Sequence, residues 1–239
     1  MAIVSNTINY LEGETLLEGF FAYDDSIQGQ RPAVLIAHAW GGRDEFVNEK
    51  AKQLAELGYV AFALDMYGSG VLGASPEENG QLMQPFMDDR LLLQQRMMAA
   101  LLAFRLLPWV DDKKIAAIGY CFGGLCALDL ARMGADIKGV VSFHGLLHAP
   151  ETCSDKPVLA KVLALHGHDD PMVPPELVSQ FSAEMTTLKV DWQLHSYGHT
   201  VHAFTNPVAN NPDFGTVYDE KVAQRAWQSM LNFFAEIFA

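Results

Sequence analysis

The sequence predicts an α/β fold in which a mostly parallel central sheet carries helices on both faces. Short apolar runs recur along the 239 residues, and amphipathic stretches separate them. Strands that alternate with helices in this way form parallel sheets, because each parallel connection must cross back over the sheet. The chain shows no internal repeat, low-complexity segment or evident linker, so one domain over residues 1–239 without a large cap domain is expected.

The apolar runs are the candidate strands. Residues 15–23, TLLEGFFAY, are expected to form one strand of an initial hairpin. Residues 32–40, PAVLIAHAW, and 59–65, YVAFALD, are almost continuously apolar, as strands buried on both faces are. Later strands are predicted in KIAAIGYC, IKGVVSFHG, AKVLALHG and VDWQLHSY, of which the last alternates between apolar and polar residues.

Capping signals and apolar stripes predict helices between these strands. Asp44 is placed to cap a helix that Gly58 ends. Residues 88–107 are expected to form a long helix that the following proline stops. The segment 66–87, rich in Gly, Pro and polar residues, is predicted to be a long loop that shapes a pocket. Further helices are predicted over GGLCALDLARM, over the residues after Pro174 and over about 218–238.

Composition and charge exclude several classes of function. The net charge is −13 and the basic residues are scattered, so a nucleic-acid surface or an anionic membrane surface is not expected. The N-terminus lacks the pattern of a signal peptide, and no apolar run approaches roughly 18 residues. Three cysteines fit a reducing compartment with thiols rather than disulfides. We therefore expect a cytoplasmic protein that is a monomer or a small homo-oligomer.

The segment IGYCFGGLC, residues 118–126, carries the first chemical signal. Gly119 and Gly123 flank Cys121 at a spacing of two on each side, which is the G-x-S-x-G pattern with cysteine in place of serine. The predicted strand-to-helix turn exposes this side chain, and the positive end of the helix favours its thiolate. The alternative, an ordinary buried thiol, suits Cys126 better, and Cys153 receives no role.

A thiol nucleophile needs a base and an orienting carboxylate, and in this pattern the chain order is nucleophile, acid, histidine. Asp169 and Asp170 in HDDPMVPP are the candidate acids. Asp170 is preferred because it stands in a D-x-x-V-P pattern, and Asp169 is then a turn or capping residue. His199 and His202 in GHTVHAF are the candidate bases, and the H-A-F context favours His202.

Together, GYCFGG, DDPMVP and HAFTNP resemble the dienelactone hydrolase family of α/β-hydrolases, in order and spacing, over nearly the whole chain. The resemblance implies a triad of Cys121, His202 and Asp170 that opens a small ester or lactone through a thioester acyl-enzyme. It also implies an oxyanion hole from the backbone N–H groups of Phe122 and Trp40. No cofactor and no metal are implied.

The chain departs from the best-known members of that family at positions that affect the substrate. Ala39 stands where those members carry a glutamate that keeps the resting thiol neutral. LDMYGSG and HAFTNP lack the arginines that hold a substrate carboxylate, which leaves Tyr67 as a candidate polar contact. A less charged ester, lactone or thioester is therefore expected. His144 could line the pocket, although a structural role is more frequent for a histidine at a strand end.

Three other interpretations compete with the hydrolase. His195, His199 and His202 have metal-like spacing, but the preceding alternating strand and the lack of a further ligand argue against zinc. A non-catalytic protein that binds a ligand, or senses oxidants through Cys121, would need neither base nor acid. A peptidase would need a second acid to protonate a leaving amine, and the sequence offers none.

Overall fold

The computed structural model describes residues 2–151 and 155–239, and the chain divides into two compact units. The first unit is Met1–Ile118 and the second is Gly119–Ala239. Strands and helices alternate along both units, which confirms the predicted α/β class. Cys153 lies outside the described residues.

The first unit contains the predicted hairpin and the first buried strands. β1 (Ile3–Glu12) and β2 (Thr15–Asp24) pair antiparallel along their whole length. β4 (Val60–Ala63) pairs antiparallel with β2 and parallel with β3 (Arg31–Ala37). β5 (Val110–Tyr120) completes the order β1-β2-β4-β3-β5, and its last two residues belong to the second unit.

The helix after β3 begins and ends as predicted. In α1 (Glu45–Glu56) the side chain of Asp44 accepts a hydrogen bond from the N–H of Val47. Gly58 follows the helix with φ +90°, a conformation that favours glycine. The apolar stripe of this helix is buried, as is the neighbouring strand β4; its members are Val47, Ala51, Leu54 and Ala55.

The predicted loop over 66–87 is partly wrong, because its second half is helical. α2 (Pro76–Asp88) begins where Ser75 Oγ accepts a hydrogen bond from the N–H of Glu78 and proline occupies the first helical position. This combination is a strong start signal that outweighs the internal glycine and proline. α3 (Arg90–Arg105) matches the predicted long helix but starts later, because Asp89 caps it.

The second unit contains parallel strands and the helices between them. β7 lies between β6 and β8 and pairs parallel with both. The elements are α4 (Phe122–Arg132), β6 (Gly139–Phe143), β7 (Lys161–Gly167), α5 (Pro175–Thr187), β8 (Trp192–Tyr197) and α6 (Glu220–Ile237). All residues of α4 are buried, so this helix is central to the unit. A short ladder of β9 (Asn210–Asn211) and β10 (Thr216–Val217) was not predicted.

The predicted reactive residues all belong to the second unit, and each follows the carboxyl end of a strand. Cys121 directly follows β5, Asp170 follows β7, and His202 follows β8 by a short loop. Parallel strands present their carboxyl ends at one edge of a sheet, where the loops of α/β proteins hold functional groups.

Candidate active site

Cys121 lies in the tight turn between β5 and α4. Its backbone has φ 55° and ψ −117°, which is strained for a residue with a side chain. The Cys121 N–H donates a hydrogen bond to the carbonyl of Phe143 at 3.0 Å, which holds the turn against the end of β6. A Cβ at position 119 would collide with the carbonyl of Gly123, so glycine is required there. The elbow that the glycine spacing predicts is therefore present.

The N-terminus of α4 lies directly at Cys121. The carbonyl of Cys121 accepts the hydrogen bond of Gly124 N–H at 2.9 Å, and Cys121 is the N-cap residue. The first N–H groups of a helix carry a partial positive charge, which favours an anion at this position. Cys121 is half-buried, whereas Cys126 is buried within the helix. The elbow thus presents a thiol in a setting that stabilises its thiolate.

Asp170 and His202 form a buried pair. His202 Nδ1 lies 2.7 Å from Asp170 Oδ2, and both side chains are almost completely inaccessible. The carboxylate only accepts, so Nδ1 carries the proton and donates it. The second oxygen of Asp170 accepts from the N–H of Met172 at 2.9 Å. Asp170 is therefore fixed on both oxygens and fixes the tautomer and the ring orientation of His202.

The alternative acid and base, Asp169 and His199, are exposed to solvent. Asp169 Oδ2 lies 3.9 Å from His199 Nδ1, the side chain of Asp169 is 49% exposed, and that of His199 is fully exposed. Such an arrangement neither excludes water nor fixes a ring. Between the two alternatives that the sequence left open, the geometry favours Asp170 and His202.

The backbone of His202 is anchored by a segment that the sequence did not identify. His202 N–H donates to the carbonyl of Gly215 at 3.0 Å, and Val217 N–H donates to the carbonyl of His202 at 3.1 Å. These bonds form an isolated bridge between His202 and Thr216 in β10. Strands of two residues have no hydrophobic period, so no sequence signal could have revealed this support.

Cys121 and Asp170 raise the pKa of His202. Burial alone would lower the pKa of His202, but the Cys121 thiolate and the hydrogen bonds with Cys121 and Asp170 outweigh burial and raise the pKa to about 10. Nε2 of His202 is buried, and its contact with Cys121 lies outside regular hydrogen-bond geometry. Catalytic hydrogen bonds are often long or misaligned in resting enzymes. The arrangement favours an imidazolium beside a thiolate.

His144, a predicted substrate contact, is buried beside His202. The two rings lie 5.1 Å apart, edge to face, and His144 Nε2 is 2.7 Å from Thr205 Oγ1. Burial, and then the charge of His202, hold the pKa of His144 well below 6.5, so the ring is neutral. This packing suits a supporting residue, and its role in substrate binding stays a prediction. The contact of Thr205 was missed, although the residue stands in the HAFTNP motif.

Trp40 and Tyr67 lie in the first unit. Trp40 belongs to the turn after β3, and the hydroxyl of Tyr67 donates a hydrogen bond to the carbonyl of Trp40 at 2.8 Å. The Tyr67 ring also packs against Phe86 of α2, with centroids 5.7 Å apart. The Tyr67 hydroxyl proton is thus engaged with the backbone, and its predicted contact to substrate would use the oxygen as an acceptor.

Among the described residues, the other polar side chains form no metal cluster. Across residues 2–151 and 155–239, no group of three or more His, Cys, Asp or Glu side chains is placed to hold a metal ion. His195 bonds instead to Ser229 Oγ at 3.2 Å. Within the same described part of the chain, no helix combines the length and apolar character needed to cross a bilayer. Location and oligomeric state stay predictions.

The α/β fold, the strained elbow and the order of nucleophile, acid and histidine are those of an α/β-hydrolase. The family model described as "Dienelactone hydrolase family" matches residues 17–238. The chain belongs to the dienelactone hydrolase family, as the three motifs predicted, and it is a carboxylic ester hydrolase. This membership decides against the non-catalytic interpretation.

Individual relatives agree with this assignment. The crystal structure of P91, a "Dienelactone Hydrolase-like Promiscuous Phospotriesterase" from metagenomic libraries, has a TM-score of 0.94 and 37% identity, covering 99% of each chain. A "Putative carboxymethylenebutenolidase" of Aquifex aeolicus is 27% identical over 208 residues, which are 85% of this chain and 87% of the relative. The Caenorhabditis elegans protein K02A2.1, named as uncharacterized, is 37% identical over 150 residues, covering 62% of this chain and 95% of its own.

Proposed function

We propose that this chain hydrolyses small, uncharged esters or lactones through a covalent thioester. Cys121 is the nucleophile, His202 is the general base and acid, and Asp170 orients His202. The observation that carries the proposal is the buried 2.7 Å bond between His202 Nδ1 and Asp170 Oδ2. It occurs in the same unit as the strained cysteine elbow, and Cys121 itself raises the pKa of His202.

The first half of the reaction forms the acyl-enzyme. The Cys121 thiolate attacks the carbonyl carbon, a C–S bond forms, and the carbonyl π electrons move to oxygen. The N–H groups of Phe122 and Trp40 are proposed to stabilise this oxyanion. When the intermediate collapses, the bond to the leaving oxygen breaks and the His202 imidazolium gives that oxygen its proton. The products are a thioester, an alcohol and a neutral His202.

The second half regenerates the enzyme. His202 removes a proton from water, and the resulting hydroxide attacks the thioester carbonyl. Collapse of the second tetrahedral intermediate breaks the C–S bond and releases the thiolate. The imidazolium remains charged and faces the thiolate again, while the carboxylic acid product loses its proton to solvent. Asp170 keeps the charged ring stable and correctly oriented in both halves.

The proposed preference for uncharged substrates rests in part on how the Arg43 side chain is used. Arg43 is buried, and its guanidinium bonds to Glu18 Oε1 at 2.5 Å, to the Glu18 carbonyl at 2.9 Å and to Asn48 Oδ1 at 3.1 Å. Each nitrogen of Arg43 donates to one of these partners, so the fold holds this side chain in place, which argues against its serving a substrate carboxylate. The motif positions that carry arginine elsewhere in the family do not carry it here.

A neutral phosphotriester is a second candidate substrate. The structure with 37% identity over 99% of both chains is that of a protein described as a promiscuous phosphotriesterase. A triester carries no charge, so the missing arginines do not exclude it. The thiolate would form an S–P bond as the P–O bond to the leaving alcohol breaks, and water would then release a phosphodiester.

An activity screen tests the proposal. Short neutral esters and lactones should be hydrolysed with a kcat/KM at least about tenfold above that of matched analogues with a carboxylate, which corresponds to about 1.4 kcal/mol. Cys121→Ala serves as the blank, and a neutral aryl phosphotriester with its diester forms a second matched pair. A tenfold preference for the carboxylate analogue would contradict the charge argument. Unchanged hydrolysis by Cys121→Ala would contradict the mechanism.

A further inference from the structure

The end of β6 contacts the neighbouring parts of the second unit through two consecutive residues. The carbonyl of Phe143 accepts the hydrogen bond of Cys121 N–H at 3.0 Å, which holds the nucleophile turn. The N–H of His144 belongs to the same trans peptide unit and points the opposite way, and it donates to the carbonyl of Leu165 in β7 at 2.8 Å. One peptide unit thus links the turn after β5 with β7.

The side chain of His144 contacts the loop that carries His202. His144 Nε2 lies 2.7 Å from Thr205 Oγ1, and Thr205 stands three residues after His202. Nδ1 of His144 has no hydrogen-bond partner among the described residues, so the bond with Thr205 is the one that orients this ring. Both side chains are buried, where the low dielectric strengthens a hydrogen bond. The end of β6 is therefore joined to this loop as well as to the nucleophile turn.

Two further features concern the conformation of His144. Its backbone has φ 38°, a left-handed conformation that is uncommon for a residue with a side chain and that occurs often at functional sites. Its ring meets the rings of His202 and Phe204 at 65° and 81°, with centroids 5.1 and 5.0 Å apart. Burial, and then the charge of His202, keep the pKa of His144 well below 6.5. The ring therefore packs against His202 without adding a second positive charge.

We propose that His144 is a positioning residue, whose bond to Thr205 sets how closely His202 approaches the nucleophile. This inference rests on the proposed function, in which His202 and Cys121 act as an ion pair. Asp170 fixes the orientation of the His202 ring, whereas the bond to Thr205 fixes the loop that carries this ring. Displacement of a reacting group by about 1 Å can cost about 10²-fold in rate, so loss of the bond should weaken the ion pair and lower kcat.

Three variants test the bond with little change of shape. Thr205→Val removes the hydroxyl, whereas Thr205→Ser keeps it and is the matched control. His144→Phe removes the other partner and keeps an aromatic ring beside His202. We expect kcat for a neutral ester to fall roughly 10–100-fold in Thr205→Val and in His144→Phe, with KM little changed. In Thr205→Ser, kcat should stay within about threefold of the wild-type value.

Alkylation of Cys121 by iodoacetamide is the readout that a merely structural role would not move. Its rate against pH reports the thiolate in the folded protein and needs no substrate. In Thr205→Val and His144→Phe the rise in rate should shift from about pH 6–7 towards the usual cysteine pKa of about 8.5, and in Thr205→Ser it should not shift. Asp170 and His166 also interact electrostatically with His202, and they are the same in all three variants.

An alkylation profile that stays at the wild-type position in folded Thr205→Val and His144→Phe would overturn the positioning role. Equal losses of kcat in Thr205→Ser and Thr205→Val would do the same. A raised KM with an unchanged profile would make His144 a substrate contact instead. Either of the two disruptive variants decides alone if the other does not fold. Failure of the proposed function is distinguishable, since Cys121→Ala would then remain active, whereas the alkylation profile does not depend on turnover.

Discussion

Two buried histidines, one in each unit, are held in opposite charge states. In the second unit His202 is buried, yet Cys121 and Asp170 raise its pKa to about 10. In the first unit the ring nitrogens of His38 bond to the peptide groups of Ala39 and Met66, and burial lowers its pKa to about 4. Both rings are almost inaccessible to solvent, so burial alone does not decide the charge.

The difference lies in what each ring faces. Acidic partners stabilise the imidazolium of His202, which suits a group that carries a proton between nucleophile and leaving group. For His38, burial outweighs the hydrogen bond to the Ala39 carbonyl and the charge of Asp65, both of which favour the imidazolium, so the ring stays uncharged. The two rings thus differ in whether the groups around them outweigh the effect of burial.

Replacement of Cys121 or His202 should lower kcat more than any other substitution. Cys121→Ala and His202→Ala should each lower kcat by roughly 10³-fold or more, because the two residues act as one unit. The double variant should be little worse than either single variant. Steady-state kinetics on a neutral ester measures this, and additive losses would show that Cys121 and His202 act independently.

Replacement of Asp170 should lower kcat more than replacement of its neighbour Asp169. Asp170→Asn should lower kcat by roughly 10²–10³-fold, since the amide cannot stabilise the imidazolium and disfavours the required tautomer. Asp169→Asn is the matched control, because Asp169 is exposed and adjacent in sequence, and it should change kcat less than about threefold. A severe loss in Asp169→Asn with a mild one in Asp170→Asn would reverse the assignment.

The two histidines should affect stability at opposite ends of the pH range. The pKa of His38 falls on folding, so the unfolded chain binds more protons below pH 6.5, and stability falls as pH drops towards about 4. His202 has a raised pKa, so its contribution is present below 6.5 and is lost as pH rises through about 10.

His38→Asn tests the acid half of this prediction. Its free energy of unfolding should decline less steeply than that of the wild type between pH 6.5 and 4, with the difference approaching about 3 kcal/mol at most. Urea unfolding at several pH values measures both curves. His144 and His166, whose pKa values are also lowered by burial, remain in both proteins and cancel in the comparison. Parallel curves would mean that His38 is protonated in the folded protein.

Local sequence signals predicted the features that depend on local geometry. The elbow at Cys121 was predictable because only glycine fits at position 119, and the helix after β3 because Asp44 caps it. The α/β class followed from apolar periodicity. The triad members could be ranked from their motifs, but only the folded structure shows that Asp170 and His202 are buried together at hydrogen-bond distance.

The features that were missed depend on contacts between distant parts of the chain. The bridge from β10 to His202 joins residues that share no pattern, and the bond from Tyr67 to the Trp40 carbonyl spans 27 positions. The role of Tyr67 in supporting the turn was therefore not foreseen. The helix α2 was missed for a different reason, since its glycine and proline suggested a loop although Ser75 and Pro76 signal a helix start.

The rate of alkylation of Cys121 against pH shows whether His202 and the helix N-terminus hold a thiolate at rest. Mass spectrometry identifies the modified residue, with the buried Cys126 as the internal control. We expect rapid alkylation by iodoacetamide at about pH 6–7, well below the usual cysteine pKa of about 8.5. Ala39→Glu and His202→Ala should both slow it. A single rise in rate centred above about pH 8, unchanged in His202→Ala, would contradict the account.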